Sequence, residues 1–440
     1  MKGAAKLLRF PLGGLAKDGS YRDTTYPTEE SVYSTPMAKN VIGECAFSSR
    51  LRGGSRPGLK LFDEDGKRIE TAGTARWLWP NGERILWPDG NRIVFGVPET
   101  ATTPDGSTVV LSHPPTCIYR DRVFKADGSV WMASRTGDHG NFDFGGEADE
   151  PTRACAGNLA YAGRKGDDIT TFAPFGDSRI FIATRRSLAV IGGEPTSAMA
   201  MVSENVGIVS ADAWCNADGA FYFMGPNGLY VAAESSAILV SQKIPEDLKG
   251  LEYALLVYDP HYRGIHVFTE RGDWFFDIAQ KAFWPVEYPP QMMPDAGGVA
   301  VINNVNRVIF HCVDGEWRYW DDLQTTDDGE DIASVVAIGP FKCGVNDDVD
   351  GMLDALTATM AKGSSVVDID IYTANDAETA VANATSDVSR LASFTVIPGW
   401  NPVVRPRVRG AWCVLVLRAT GRWAYESIQA NIKVLGRLRP

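Results

Sequence analysis

The fold class of this chain is decided by Arg122-Val123-Phe124-Lys125-Ala126-Asp127-Gly128-Ser129-Val130-Trp131-Met132. Two short apolar runs flank the pair Asp127-Gly128. Asp-Gly between apolar strands is one of the strongest local signals for a hairpin, because both residues tolerate a positive φ. The stretch therefore predicts a β-hairpin.

The same unit of strand, turn and strand recurs along the chain. Further copies lie at 179–191, 220–231, 264–276 and 307–320, and a tandem of Asn-Gly and Asp-Gly turns, too rich in glycine and proline for a helix, lies at 80–95. The aligned positions Ile180, Phe221, Ile265 and Val308 are 41, 44 and 43 residues apart. A degenerate period near 40–50 residues is typical of β-propeller blades, and the units predict about six blades. An irregular β-sandwich is the alternative.

A polar turn follows the opening hairpin. The step from Val123 to Ile180 is 57 residues, which indicates a loop inserted at 134–165. Residues 136–141 are rich in Gly, Asp and Asn, which predicts a tight, hydrogen-bonded turn. Phe142 and Phe144 are expected to continue at strand spacing and to pin the turn to a sheet. The turn is a candidate recognition or packing corner, with candidate residues Ser134, Arg135, Asp138, Asn141 and Phe142.

Composition and charge narrow the class of protein. The chain has 440 residues, 44% of them apolar, no apolar run of 18 residues, and an N-terminal segment interrupted by proline and glycine. We therefore expect a soluble protein made in a cytosol, without a signal peptide or membrane insertion. The formal net charge of the chain is −12 at pH 7. Residues 1–60 carry +5 and residues 401–440 carry +7, so residues 61–400 carry −24. An acidic body argues against nucleic-acid binding by that body.

Three parts are predicted along the chain. Residues 1–59 read as an extended N-terminal arm, 60–325 as the propeller, and 326–440 as an antiparallel β-sandwich. The polar, acidic stretch 325–331 marks the last boundary. Strands are expected at 332–341, 351–360, 366–373, 412–417 and 428–434, and a short helix or loop at 375–384.

Arginines concentrate at both ends of the chain. Arg50, Arg52 and Arg56 flank Gly-Gly and Pro-Gly turns and predict a subunit interface, with a solvated loop as the alternative. Near the other end, Glu426 is the single acid among eight bases. We expect it to pair with one of three arginines, and such a pair is more often architectural than functional. Those three arginines are Arg405, Arg407 and Arg409.

The sequence offers no catalytic, cofactor or metal-binding set. Seven cysteines are dispersed without CxxC spacing, which predicts buried free thiols. His266 and His311 fall in predicted strands and are expected to be satisfied core or edge residues. Ser134, Asp138 and His139 lie too close in sequence to reach the geometry of a catalytic triad. The acidic stretches 63–66 and 347–350 lack the ligand spacing of a calcium loop and are expected to be solvated turns.

Three stretches resemble the nozzle (tail tubular) proteins of short-tailed bacteriophages. They are the strand with Ser-Arg-Thr-Gly-Asp and Asn-Phe at 130–142, the Arg-Pro-Gly corner at 50–59, and the tail at 399–439 with Arg-x-Arg-x-Arg-Gly, a Trp followed by Glu-Ser, and Gly-Arg. The resemblance implies a structural virion protein, hexameric, docked below the head-to-tail adaptor ring, with tail fibres or spikes as further partners. It also implies a lumen through which double-stranded DNA is retained and then ejected without specific binding.

Two alternatives of other classes remain open at this point. A virion-attached propeller glycoside hydrolase would need two carboxylates converging about 5–9 Å apart at the propeller axis. A cellular propeller scaffold for protein binding would lack phage genes beside its own.

Overall fold

The computed structural model describes residues 4–17, 33–45, 50–62, 100–102, 108–110, 115–145, 150–160, 167–233, 236–302, 305–343 and 349–437. Within these ranges the chain consists mainly of antiparallel strands, which confirms the predicted all-β class. It divides into two compact units: unit 1 comprises 1–62, 272–293 and 316–440, and unit 2 comprises 63–271 and 294–315. The predicted boundaries at 59/60 and 325/326 stay predictions, and the tandem hairpin at 80–95 lies outside the described residues.

Unit 2 contains the repeated hairpins. Its strands, numbered along the whole chain, are β6 (Thr100–Thr102), β7 (Thr108–Val110), β8 (Thr116–Tyr119), β9 (Arg122–Asp127), β10 (Val130–Ala133), β11 (Cys155–Asn158), β12 (Ile169–Phe175), β13 (Arg179–Thr184), β14 (Leu188–Gly192), β15 (Met199–Ser203), β16 (Trp214–Ala217), β17 (Ala220–Gly225), β18 (Gly228–Ala232), β19 (Ala237–Leu239), β20 (Ala254–Asp259), β21 (Gly264–Thr269), β24 (Pro294–Ile302) and β25 (Val305–Cys312), with a one-turn helix α1 (Pro245–Leu248).

Three four-stranded meanders form within unit 2. Strands β8 to β11, β12 to β15 and β16 to β19 each pair in sequence order, and β6–β7, β20–β21 and β24–β25 form hairpins. The hairpins predicted at 122–132, 179–191 and 220–231 are confirmed. The stretch expected as an inserted loop differs in one respect, because its residues Cys155–Asn158 add the fourth strand to the first meander.

Aromatic side chains join successive meanders of unit 2. The ring of Phe124 lies 5.7 Å from that of Phe172, and the ring of Phe181 stacks on that of Phe221 at 4.2 Å. The four aligned repeat positions Ile180, Phe221, Ile265 and Val308 are all fully buried or nearly so. The spacing of these positions in the sequence is therefore also the spacing of buried side chains in the core, because the first strand of each repeated hairpin supplies a buried side chain at the aligned position.

Unit 1 draws on three separate parts of the chain. Its elements are β1 (Ala4–Leu8), β2 (Ala38–Lys39), β3 (Val41–Cys45), β4 (Arg50–Ser55), β5 (Gly58–Leu61), β22 (Gly272–Asp277), β23 (Ala282–Val286), a 3-10 turn (Pro290–Met292), β26 (Trp317–Asp321), β27 (Thr326–Asp327), β28 (Glu330–Asp331), β29 (Ala333–Lys342), β30 (Val349–Met360), β31 (Val367–Ala374), α2 (Ala377–Thr385), β32 (Ala392–Val396), β33 (Gly399–Trp400), β34 (Val408–Gly410), β35 (Trp412–Thr420) and β36 (Tyr425–Arg437). The strands predicted beyond residue 331 are confirmed.

Two five-stranded antiparallel sheets dominate unit 1. One has the order β1-β36-β30-β33, with β34 also pairing with β30, and the other has the order β2-β29-β35-β31-β32. Each sheet takes one strand from the predicted arm. Helix α2, left open in the sequence as helix or loop, begins after Asp376, whose side chain accepts a hydrogen bond from the Thr379 amide at 2.7 Å. Its buried residues pack on the second sheet.

Candidate interaction site

The polar turn of unit 2 is held in place by hydrogen bonds from a buried arginine. Arg122 is fully buried, and its guanidinium donates to the carbonyl of Ser134 at 2.7 Å and to the carbonyls of Pro151 and Arg153. A guanidinium group has several hydrogen-bond donors in one plane, so a single arginine can bind carbonyls at both ends of a loop. Sequence reasoning placed Arg122 in a strand and missed this role, since its acceptors lie up to 31 residues away.

The turn itself is closed by backbone hydrogen bonds, as predicted. The Arg135 amide donates to the carbonyl of Asn141 at 2.9 Å, and the Asn141 amide donates to the carbonyl of Asp138 at 3.1 Å. The buried Ser134 hydroxyl accepts from the Val123 amide at 3.0 Å, and Arg135 forms an ion pair with Glu150. The turn is therefore a rigid corner.

The Ser134, Asp138 and His139 side chains do not form a triad. The Ser134 hydroxyl donates to the Arg135 carbonyl at 3.1 Å, and the His139 Nε2 atom lies 3.1 Å from a carboxylate oxygen of Asp121, a residue of another turn. A nucleophile needs its hydroxyl hydrogen directed at the base.

The prediction for the two phenylalanines is wrong in its strand structure and for Phe144, although Phe142 does contact strand β9. Residues 141–145 form no strand, and 45% of Phe144 is exposed. Phe142 instead lies under the Lys125 ammonium, 4.7 Å from the ring centre. Cation–π attraction and the turn geometry replace strand pairing here, because the Gly-rich sequence after Asn141 does not favour extended pairing.

Replacing Arg122 with glutamine is expected to lower the free energy of unfolding by about 2–3 kcal/mol, since buried carbonyls lose charge-assisted donors. We also expect faster amide hydrogen exchange across residues 134–141. Hydrogen exchange and urea denaturation measure both effects. The matched control is Arg120→Gln, whose guanidinium pairs at the surface with Glu194. Equal exchange rates in the two variants would contradict the role given to Arg122.

Arg56 occupies a deeply buried position in unit 1. It is 1% exposed, and its guanidinium makes two hydrogen bonds to Asp327, at 2.8 and 2.5 Å. It also donates to Asn40 Oδ1 at 3.1 Å and to the carbonyl of Glu287 at 2.9 Å, and it lies 4.7 Å from the Tyr288 ring centre. Burial opposes the charged form, but Asp327 outweighs it and the pKa of Arg56 is raised. Of the three corner arginines, Arg56 is thus part of the core.

The ion pair predicted for Glu426 is wrong in its partner. Glu426 contacts Arg52, and Arg50 more loosely at 3.4 Å, rather than any arginine of the 405–409 stretch. The cause is strand pairing, because the Gly54–Ala424 bridge aligns the end of β4 with the start of β36. The carboxylate that faces Arg405 is Asp354, at 3.6 Å, and Asp354 also binds Lys433 at 2.8 Å. The hydrogen bond from Lys433 is the main cause that lowers the pKa of Asp354.

One buried acid of unit 2 has no counterpart in the sequence-based predictions. Asp212 is 9% exposed, and its Oδ2 atom has no hydrogen-bond partner among the described residues. Burial raises the pKa of this carboxyl to about 8. A neutral carboxyl at pH 7 is therefore expected, and nothing in the local sequence marks Asp212 among the other acids of the chain.

The cysteines and histidines behave largely as predicted. Six cysteines can be assigned, all with free thiols; five are buried, and Cys155 is partly buried. His266 and His311 are buried beside Asp259 and Asp295, with nitrogen to oxygen distances of 3.3 and 2.6 Å. Across the described ranges no three His, Cys, Asp or Glu side chains converge as metal ligands would. None of the helices in these ranges has the length and apolar character needed to span a membrane.

Comparisons with known proteins do not identify a family for this chain. No family model matches this chain, and no curated protein matches it. The chain is similar to the extracellular domain of a hybrid two-component system from B. thetaiotaomicron, at 9% identity and a TM-score of 0.30, over 85% of this chain and 57% of that one. It is also similar to an exo-β-1,3-galactanase from Phanerochaete chrysosporium, at 8% identity and a TM-score of 0.21, over 77% and 99%. The chain thus spans little more than half of the first, and at these TM-scores neither likeness carries an argument.

Proposed function

We propose that this chain is a structural subunit of the distal tail nozzle of a short-tailed bacteriophage. Six copies would form a ring below the adaptor ring, with tail fibres or spikes as further partners. Each copy would comprise a propeller of about six blades, the N-terminal arm and a C-terminal β-sandwich. The lumen would retain genomic DNA and then conduct it during ejection.

One observation carries the proposal. Two of the three stretches that resemble nozzle proteins, 50–59 and 399–439, meet in unit 1. The Ser55 amide donates to the carbonyl of Trp423 at 3.0 Å, the Trp423 amide donates to Ser55 Oγ at 3.0 Å, and Arg52 pairs with Glu426. The two stretches are remote in sequence, resemble one family and lie in contact, so they form one structural feature. A shared architecture explains this better than a chance resemblance.

Features of unit 2 support the propeller. Its meanders follow one another in sequence, and neighbouring first strands, such as β8 with β12, β16 with β20 and β20 with β24, lie in contact. This is the arrangement of blades whose innermost strands surround an axis. Stacked aromatic rings between meanders make such a body stiff, which suits the wall of a conduit.

Charge supports passage of DNA without tight binding. The middle of the chain carries −24. Carboxylates lining a lumen would repel phosphates within about 10 Å at moderate salt, so DNA would slide past rather than adhere. The basic ends of the chain would then contact protein.

Cryo-electron microscopy of the recombinant chain, or of virions that contain it, tests the proposal. We expect sixfold rings of propellers around a pore lined mainly by Asp and Glu. A stable monomer at micromolar concentration, or a pore lined by Lys and Arg, would contradict it. Turnover of a host polysaccharide by the purified chain would instead favour the glycoside hydrolase.

A further inference from the structure

Residues 397–409 of unit 1 expose an unusual set of side chains on one short segment, which we call the docking strip. Ile397 is 54% exposed, Trp400 66% and Val403 48%. Three large, exposed apolar side chains are thus clustered within seven consecutive residues of the sequence. Such clusters mark interaction surfaces, and tryptophan is among the residues that most often dominate binding energy.

The Asn401 side chain fixes the conformation of the docking strip through hydrogen bonds to its backbone. This side chain is 6% exposed; its amide nitrogen donates to the carbonyls of Ile397 and Gly399 at 2.8 and 3.2 Å, and its amide oxygen accepts from the Ile397 amide at 2.9 Å. The backbone of Asn401 also pairs with Ala358 of β30 at 3.0 Å. Three prolines, at 398, 402 and 406, restrict the strip further. A partner would therefore bind Trp400 without first having to order the loop.

The second half of the docking strip is cationic. Arg405, Arg407 and Arg409 are exposed, whereas Pro406 is partly buried and Val408 is buried. Asp354 lies 3.6 Å from Arg405 and also interacts electrostatically with Arg407, but within the described ranges neither Arg407 nor Arg409 has a carboxylate within 4 Å. The strip itself contains no acid. It therefore presents a net positive charge beside an apolar anchor.

From these features we infer that the docking strip binds the acidic middle of a second copy of this chain. The inference rests on the proposed function and names the surface that would join its subunits. Charge complementarity identifies the occupant, because residues 61–400 carry −24 while residues 401–440 carry +7. Two strips facing each other would oppose arginine to arginine, which disfavours a twofold interface centred on the strip. A strip on one copy and an acidic surface on the next make a head-to-tail contact, and such contacts build rings or filaments.

Site-directed photocrosslinking on the full chain tests the contact directly. With p-benzoylphenylalanine in place of Trp400, we expect irradiation to join two copies, with the linked peptide of the partner falling within 61–396, outside its own strip. Crosslinks confined to the strip of the second copy, or none at all, would overturn the inference.

Variants measure the energetic share of the docking strip. Trp400→Ser, and separately Arg407→Glu with Arg409→Glu, should each weaken assembly at least tenfold in sedimentation experiments, the second more strongly at low salt. The matched controls are Leu323→Ser, which removes an exposed leucine elsewhere in unit 1, and Lys362→Glu, which reverses an exposed charge there. Thermal unfolding checks that every variant folds.

The outcomes separate this inference from the proposed function. Sixfold rings that persist unchanged in all strip variants would contradict the role inferred for the docking strip but not the proposed nozzle function. Crosslinked dimers or open filaments without a ring would support the strip and contradict the nozzle. A wild-type chain that stays monomeric would contradict both.

Discussion

Replacing Arg56 with methionine is expected to lower the free energy of unfolding by about 3–5 kcal/mol. The substitution leaves Asp327, itself 2% exposed, as a buried carboxylate without its bidentate partner. The Glu287 carbonyl and the Asn40 side chain lose donors as well. Urea denaturation followed by tryptophan fluorescence measures the loss, and Trp320, which bonds to Tyr288 at 3.1 Å, offers a nearby reporter.

Two further variants make the Arg56 prediction specific. Arg50→Met, at a position where 61% of the side chain is exposed, should change stability little. The double variant Arg56→Met with Asp327→Leu should recover much of the loss, because replacing both members of a buried pair removes the unpaired charge. A loss below 1 kcal/mol for Arg56→Met would show that the buried pair is not an essential part of unit 1.

Replacing Asp212 with asparagine is expected to stabilise the protein, increasingly as the pH rises. The folded carboxyl has a pKa of about 8, against an ordinary value of 3.8. The folded state therefore holds a proton that the unfolded state has released between these values, and stability falls as pH rises through that window by about 1.4 kcal/mol per unit. Asparagine cannot ionise, so the gain should be small near pH 4 and reach about 3–5 kcal/mol at pH 8.

Denaturation of the wild type and of Asp212→Asn at several pH values measures how steeply the free energy of unfolding of each protein changes with pH. The control is Asp177→Asn, which replaces an exposed carboxylate of the same unit. Its stability should run parallel to that of the wild type. A pH-independent effect of Asp212→Asn would show that Asp212 ionises normally and is better solvated than its burial indicates.

Local patterns explain why much of the fold could be predicted. A hairpin is specified by residues within about ten positions, and Asp218-Gly219, with φ of 50° and 80°, adopts the left-handed conformation that such a turn requires. The period of the buried positions from Ile180 to Val308 follows from the same repetition. The strands of unit 1 beyond residue 331 alternate apolar and polar side chains, so their positions were also readable.

Long-range pairing explains what could not be predicted. Arg56 and Asp327 are 271 residues apart, and Arg52 meets Glu426 across the end of β36, so no local pattern marks these partners. Asp327 lies in a stretch that reads as a polar break, yet it is buried because one guanidinium satisfies it. The isolation of Asp212 depends likewise on what surrounds it. Sequence alone gives the residue types of such sites but not their neighbours.

The pairing of β1 with β36 places Ala4 beside Ile432 and so fixes when unit 1 can form. At about 5–20 residues per second, a ribosome takes roughly 20–90 s to make the intervening chain. Throughout that time the segment that becomes β1 has no native partner, and its unpaired edge is open to other nascent chains. Expression at low temperature or with a chaperone should therefore raise the soluble yield, because misassembly during synthesis competes with this late closure.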